Sequence, residues 1–526
     1  MTSTIKAEYR VRCIPEEAGA IAREIALEQT VEVPEALVTD PRIRDEVVGR
    51  VVSCRPDDDV PEAQRIVIEY NAALANGQLP QLLNLLYGNI SIKPNIALIG
   101  VHLPESLLGR FTGPNYGIEG VRALLGVYGR PLLATALKPR GSSPDELAAI
   151  AAAFARGGGD IVKDDHNLAD DSYEAFRDRV SAIHSAVVGA NGATGRNAQY
   201  FPNVIARSDD LDRYCEYLVR AGVRGVLVSP LAIGLDNVRR LAETYPLIFM
   251  AHPSLTGSYY TDPCQGIAPG VLLGAVFRLM GCDISVFPNY GGRFGLTRDE
   301  CVSIQDALAA PLGDIAPAMP APAGGMTFDR IPSMAETYGP ESVFLIGGAL
   351  LSHSGDLCES TRVYLDAINE HFNENLRDPK PEWQSACEIP AQSSGLSLLN
   401  HLRFREDFSW EGRPPVNYKS DAALPFEGVD RVELIGRAGE KAAFDLRYFE
   451  VAPGGYTSHE KHVHTHVIIG VRGAGMLLRN GDAIEVKPHD VAYVAPMEPH
   501  QLRNEGEDPF GFFCIVDHER DRPMEP

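Results

Sequence analysis

GRPLLATALKPR (residues 129–140) and GGGDIVKDDHN (157–167) are two short apolar runs that each end in charge. Lys138 and Arg140 follow the first; Lys163, Asp164, Asp165 and His166 follow the second. Between them SPDELAAIAAAFAR opens on a Ser-Pro helix start and continues with a helical apolar period. The resulting strand–helix unit recurs. LLATALK, DIVKDD, AQYFPNV, GVLVSP, LIFMAH, DISVFP, APAMPAPAG and SVFLIGG succeed one another between about 130 and 375, with helical stretches such as SDDLDRYCEYLVRAG and DLCESTRVYLDAINEHF among them. Eight such units in roughly 250 residues is the count of a closed (β/α)8 TIM barrel, and the count favours closure over an open parallel sheet.

Upstream, IKAEYRVRC alternates like a strand and PEEAGAIAREIALEQT reads as an amphipathic helix with acidic residues in its first turn. RIVIEYNAAL and QLPQLLNLLYGN repeat the strand–helix pattern. Downstream of the barrel, DFSWEGRPPVNYKSDAALPFEG is polar and rich in Pro and Gly. After it come only alternating runs such as AFDLRYFEV, HVIIGVR, MLLRN, VAYVAP and FGFFCIV. The expected organisation is an N-terminal α+β domain over 1–125, the α/β barrel over 126–406, a linker over 407–428 and an all-β sandwich or barrel over 429–526.

Composition narrows the class. A hydrophobic fraction of 44% and a charged fraction of 23% suit a globular chain with sizeable cores. A net charge of −23 argues against nucleic acid or an anionic membrane surface as partner. The nine cysteines form no close pair and MTSTIKAEYRVRC has no apolar signal core, so a cytoplasmic location is expected.

In a TIM barrel the chemistry sits at the C-terminal ends of the strands. Those ends carry Lys138 and Arg140, then Lys163, Asp165 and His166, then Asn203, His252, Asn289 and Arg293. Gly324-Gly325 and Gly347-Gly348 follow the seventh and eighth runs, where this fold often binds phosphate through backbone N–H groups.

The paired segments around Lys138 and Lys163 resemble the active-site segments of the RuBisCO large-subunit family. FTGPNYGIEGVR (111–122) resembles that family's entry into the barrel, and LYGN (86–89) resembles its N-domain segment carrying an active-site asparagine, here Asn89. The resemblance covers roughly residues 5 to 400. It implies that Lys138 assists proton transfer at an enediolate and that Lys163 becomes carbamylated to bind Mg2+ with Asp165. It makes Lys138, Lys163, His166 and Asn89 the candidate catalytic residues. Arg140, Asn203, His252, Arg293 and the two glycine pairs are the candidate substrate contacts. Because the family builds each site from two subunits, it also implies a homo-oligomer, at least a dimer.

The departures from the family pattern matter as much. His166 stands in place of the glutamate that completes the metal triad, and imidazole is a poor magnesium ligand. Pro253 follows His252 where the family has a phosphate-binding arginine. Ser285-Val286-Phe287-Pro288 lacks the family's phosphate-binding histidine, and Ala323 replaces a serine. The lost groups cluster at one end of a bisphosphate substrate. A site with one phosphate cradle and one apolar end favours a monophosphate, and CO2 fixation is not expected.

PGGYTSHEKHVHTHVIIGVRGAG (453–475) carries the glycine-bounded, His-rich pattern of the cupin superfamily, and PMEPHQLRN (496–504) its second motif. Counting back from Gly473 and Gly475, the ligand slots fall on Glu460, His462 and His466, with His500 from the second motif. His464 is expected on the same side as His462, either as an alternative ligand or as a group that supports the ligands, and His459 belongs to the loop. Imidazoles with one carboxylate suit Mn, Fe, Ni or Zn. The C-terminal domain is thus expected to be a jelly-roll metal site.

The resemblance implies an isomerase or enolase acting on a phosphorylated ketose. Similar proteins make 5-methylthioribulose 1-phosphate the expected substrate. Cupins of related type release methanethiol from the isomerised product, 1-methylthioxylulose 5-phosphate. Two other readings stand beside this one: a decarboxylase or transcarboxylase of a phosphorylated 3-oxo sugar acid, and a non-enzymatic sugar-phosphate sensor.

Overall fold

A computed structural model describes residues 3–372 and, in the C-terminal part, residues 402, 404–405, 408–410, 413–418, 425–436, 444–479 and 481–517. The chain divides into two compact units, Met1–Ala386 and Cys387–Pro526.

The first unit opens with a five-stranded sheet ordered Gly266–Ile267, Ile96–His102, Thr4–Arg12, Ala63–Asn71 and Arg50–Pro56. Alternation in Thr4–Arg12 buries Ile5, Ala7, Tyr9 and Val11 on one face. Helix Pro15–Glu28 packs against this sheet through Ala22, Ile25 and Ala26, and starts with Pro15, Glu16 and Glu17, as the helix-start pattern requires. The short strand Gly266–Ile267 comes from a barrel loop and pairs in parallel with Ile96–His102. One hydrophobic core runs through both parts, so the N-terminal α+β region and the barrel form a single packed body.

The barrel strands are Leu132–Leu137 (β1), Ile161–Asp164 (β2), Gln199–Phe201 (β3), Gly225–Val228 (β4), Ile248–Ala251 (β5), Ile284–Pro288 (β6), Met319–Ala323 (β7) and Val343–Leu345 (β8). All neighbours pair in parallel. The ring closes between β3 and β4, where the Leu227 N–H donates to Pro202 O and the Val204 N–H donates to Leu227 O, both at 2.9 Å. The eight expected runs are therefore the eight strands of a closed barrel. Inward side chains, among them Leu132, Ile161, Phe201, Leu227, Met250, Ile284 and Met319, fill its interior. Ser143 and Thr297 start the helices Pro144–Arg156 and Arg298–Ala309 with full capping boxes.

Helix Gly117–Leu125 adds Val121 and Leu125 to that interior core. Asp283 fastens it there. The buried carboxylate accepts the N–H groups of Tyr116 at 2.7 Å, Gly117 at 2.8 Å and Phe249 at 2.8 Å.

The second unit is an antiparallel nine-stranded sheet wrapped around Phe449, Val451, Ile468, Leu477, Leu502, Phe510 and Phe512, consistent with a cupin jelly roll. The longest strand, Phe444–Tyr456, pairs with Glu427–Ile435 and Phe510–Asp517. Gly473 has φ +58°, and a Cβ there would meet the Pro509 carbonyl at 2.3 Å, so the turn between His466–Arg472 and Gly475–Arg479 needs a glycine. The stretch 407–428, expected as a linker, contributes to this unit wherever it is described. Val416–Asn417 pairs with Glu427–Ile435, and Trp410 and Tyr418 are buried in its clusters. The rest of that stretch, residues 407, 411–412 and 419–424, lies outside the described residues. No disulfide joins the described cysteines, and no described helix is long and apolar enough to cross a membrane.

Replacing Asp283 by Ala orphans three N–H groups, two of them buried and the third partly buried. The expected loss is at least about 3 kcal/mol at roughly 1 kcal/mol or more per group, read as an earlier chemical-denaturation midpoint for the barrel. An unchanged midpoint would show that Asp283 does not fasten the helix.

Candidate active site and metal centre

The C-terminal end of β2 is set by its neighbours. Asp164 points away from the barrel axis and is fully buried. It pairs with Arg179 and accepts the Tyr200 hydroxyl at 2.8 Å and the Asn203 N–H at 2.8 Å. Alternation along the chain then turns Lys163 and Asp165 into the barrel mouth. There a cavity of about 870 Å³ brings together Lys138, Lys163, Asp165, His166, His252 and Arg293, and Gly324, Gly325, Gly347 and Gly348 also line it.

Lys163 is almost completely buried and donates to the Asp164 carbonyl at 2.9 Å. Burial, helped by the positive charge of Lys138, brings its pKa down to about 8 in spite of the nearby carboxylates. Asp165 lies 3.0 Å from the Lys138 ammonium and 3.4 Å from Nδ1 of His166. Burial works against its carboxylate. The Asn167 N–H and Lys138 outweigh that and hold the pKa below the usual range. His166 stacks on His252 with ring centroids 4.1 Å apart. Burial first, then the cations Lys163, Lys138 and Arg293, keep the His166 pKa below that of ordinary imidazole. His252 bonds Ser254 Oγ through Nδ1 at 2.8 Å, and burial leaves it neutral.

The barrel residues do not fit a magnesium site as they stand. Asp165 is taken up by Lys138, His166 offers nitrogen, and Lys163 offers an amine. Among the described residues no second carboxylate joins Asp165 in the cavity lining, and the one set of three side chains able to close on a single ion lies in the other unit.

Three expected residues lie outside the cavity lining. Asn203 is 2% exposed, and its amide donates to the carbonyls of His166 and Leu168, each at 3.0 Å. It holds the His166 loop in place, so its role is positioning. Arg140 points to solvent. Asn89 is exposed and donates to Glu28 at 3.1 Å and Glu32 at 2.8 Å.

The apolar part of the cavity lining is more extensive than the sequence pattern indicated. Pro253, Val286, Phe287 and Pro288 line it as expected, and the exposed side chains of Leu255 and Phe294 extend it at the mouth. Nothing in the alternation of loop residues marks these two. Gly325 and Gly324 both have positive φ, and a Cβ on Gly325 would meet Gly292 Cα at 2.7 Å. The loops after β6 and β7 thus touch through bare backbone. Gly347 and Gly348 face open space.

In the second unit His462, His466 and His500 place ring nitrogens within 4.8 Å of one another. The second nitrogens of two of them are engaged. Nδ1 of His462 faces the His464 carbonyl at 2.7 Å, and Nδ1 of His500 faces the Glu498 carbonyl at 2.9 Å. These carbonyls accept the Nδ1–H and leave Nε2 as the ligand atom. The Nε2 of His462 is buried and has no hydrogen-bond partner, which is the orphan a metal ion satisfies. Burial first, then the neighbouring imidazoles, bring the His462 pKa to about 4 and lower that of His466. These rings are therefore neutral at pH 7, the form that binds metal.

Glu460 shares the pocket, and its carboxylate accepts the Ser458 hydroxyl at 2.5 Å. It stands beside the three-imidazole set without being one of its members. His464 stacks on His462 at 3.7 Å and approaches Nε2 of His466 at 3.3 Å.

Residues 117–289 match the family model "Ribulose bisphosphate carboxylase large chain, catalytic domain", and residues 447–516 match "Cupin domain". Ribulose bisphosphate carboxylase-like protein 1 of Rhodopseudomonas palustris is 40% identical over 372 residues, covering 70% of this chain and 99% of that protein. The 5-methylthioribulose-1-phosphate isomerase of Rhodospirillum rubrum is 37% identical over 374 residues, covering 70% of this chain and 97% of that one. The crystal structure of a Rubisco-like protein from Rhodopseudomonas palustris superposes with a TM-score of 0.63 at 36% identity, covering 70% of this chain and 98% of the other.

Purified protein is expected to carry a transition metal or zinc through the three histidines, and the double variant His462→Ala, His500→Ala to lose it, as read by elemental analysis. With His462 held near 4, protons compete weakly. Metal content should persist well below pH 6 and fall only as the pH approaches 4. Retention of the full metal content by the double variant would move the metal site elsewhere.

Proposed function

Because the chain belongs to the RuBisCO-like proteins of the RuBisCO large-chain family and carries a cupin domain later in the sequence, we propose that the barrel isomerises a phosphorylated ketose, 5-methylthioribulose 1-phosphate. The observation that carries this reading is the mixed lining of the cavity. Part of it is the glycine backbone of Gly324, Gly325, Gly347 and Gly348. Another part is the apolar set Leu255, Phe294, Pro253 and Val286. A monophosphate with a thioether end matches both, whereas a bisphosphate would leave a phosphate against apolar wall. The 37% identity to an isomerase of that name supports the choice.

Isomerisation needs a base that removes a carbon-bound proton and an acid that returns one. Lys163, with a pKa near 8, is the group whose free amine is available near neutral pH. Lys138 neutralises the developing enediolate oxygen from its position beside Asp165, and His166, neutral and stacked on His252, carries protons between the two carbons. Arg293 reaches the phosphate from the loop after β6. Each of these roles is held by this chain's own side chains and needs no ion. The alternative, decarboxylation of a phosphorylated 3-oxo sugar acid, uses the same enolate-stabilising cations but leaves the apolar wall without a partner. CO2 fixation lacks the second phosphate site.

The cupin is proposed as a second metal-dependent active site for the next step, removal of the methylthio group from the isomerised product. Covalent linkage raises the effective concentration of one site's product at the other. The physiological unit is proposed to be at least a dimer, with the exposed Asn89 completing the barrel site of a second copy.

Incubation with 5-methylthioribulose 1-phosphate in D2O should give solvent deuterium in the product. Lys138→Met should lower kcat by about a hundredfold or more, in the range of general acid–base effects. If the Lys163 amine is the base, kcat/KM rises with pH and levels off above about 8, because the free amine predominates there. Absence of both exchange and isomer would remove this substrate. Light scattering at micromolar concentration should report a dimer or larger; a monomer would separate Asn89 from the active site.

A further inference from the structure

The cupin pocket contains a charged group that the metal centre leaves unused. Arg447 lies on the inward face of the strand Phe444–Tyr456 and is 8% exposed. Its Nη2 donates to Sγ of Cys514 at 3.5 Å, and its guanidinium carbon lies 5.1 Å from the centre of the Phe449 ring. The Nε is buried without a partner, and among the described residues no carboxylate pairs with the guanidinium. An arginine stays charged, and a thiol with a ring face replaces little of the hydration it has lost. A buried cation lacking its counter-charge is costly, so its retention calls for a partner that comes from outside.

The surroundings sharpen this requirement. Arg447 shares a cavity of about 170 Å³ with His466, His500 and Glu460. Neutral imidazoles leave a divalent ion its full charge. Ion and guanidinium together place three positive charges in the pocket, against the carboxylate of Glu460. A bound oxyanion offsets the remainder and is drawn to both.

We propose that Arg447 is the anion-pairing group of the cupin site, receiving the oxyanion of a small ligand, a phosphate monoester or a carboxylate, whose other end lies against His466 and His500. Phe449, Ile468, Leu502 and Phe512 supply the apolar wall along its middle. The proposal rests on the metal-centre reading only for the ligand's second contact, since Arg447 pairs with an oxyanion whether or not the ion is bound.

The test is calorimetric titration of the full-length protein, metal-free and Co2+-loaded, with inorganic phosphate and separately with oxalate. It compares wild type, Arg447→Met and Arg447→Lys. Phosphate binding in the barrel is common to all three and cancels in the comparison. The expected result is an oxyanion-binding event weakened about ten- to a hundredfold in Arg447→Met, the range for a charge-assisted hydrogen bond, and less so in Arg447→Lys. Arg447→Met should melt at or above the wild-type temperature, because an apolar chain of similar length removes the buried charge. Stronger binding of phosphate identifies a phosphate monoester as the ligand; stronger binding of oxalate identifies a carboxylate. Should Co2+ fail to load while the event persists in metal-free protein, the metal centre falls and the anion site stands. The proposal is overturned if Arg447→Met titrates like wild type with both probes. It is equally overturned if that variant fails to fold, which would make the arginine structural.

Discussion

The barrel site depends on what Asp164 does with its carboxylate. A charge buried in the wall between β2, β3 and the following helix needs partners on every side, and Arg179, the Tyr200 hydroxyl and the Asn203 N–H supply them. Arg179 is bound in turn to Asp170 at 2.7 Å. With Asp164 held outward, the period of the strand leaves Lys163 and Asp165 no choice of side. The same network fixes Asn203, whose amide carries the backbone of His166. A structural ion pair therefore sets the aim of three side chains that line the cavity without itself touching it.

The two units prepare their side chains in related ways. In both, burial makes the uncharged form of a base the favoured one. Lys163 approaches neutrality in the barrel, and His462 and His466 of the cupin are neutral at pH 7. What differs is the surrounding charge. The barrel mouth gathers Lys138, Arg293 and Lys163 around Asp165, an arrangement suited to an anionic intermediate. The cupin pocket aims imidazole nitrogens at one point, and its His462 Nε2 lacks any hydrogen-bond partner, an arrangement suited to an ion.

Much of this was legible in the sequence because it follows from local periodicity. Eight apolar runs separated by helical stretches became eight parallel strands, since a run buried on both faces needs no alternation to be recognised. The strand-end rule brought Lys138, Lys163, Asp165, His166, His252 and Arg293 into one cavity. The glycine-to-histidine spacing found His462, His466 and His500. Where the reading went astray, the decision lay in packing between distant segments. Asn203 ends a strand and still faces a loop carbonyl. Trp410 and Tyr418 sit in a polar, proline-rich stretch and are nonetheless buried against the jelly roll. Arg447 is also marked in the sequence, since alternation places it beside Phe449 and Val451 on the inward face; a charge at an apolar register position is the signal.

The sequence by itself determined the architecture, the strand ends that carry reactive groups and the imidazole set, because strand period, helix caps and turn glycines act over a few residues. Tertiary structure alone decided which charges are paired and which are left facing a cavity. Asp165 meets Lys138 across 27 positions of chain, and Arg447 meets Cys514 across 67. An ion pair or an orphaned cation is a matter of a few ångströms between side chains, and that distance is set only when the strands carrying them have been brought into register.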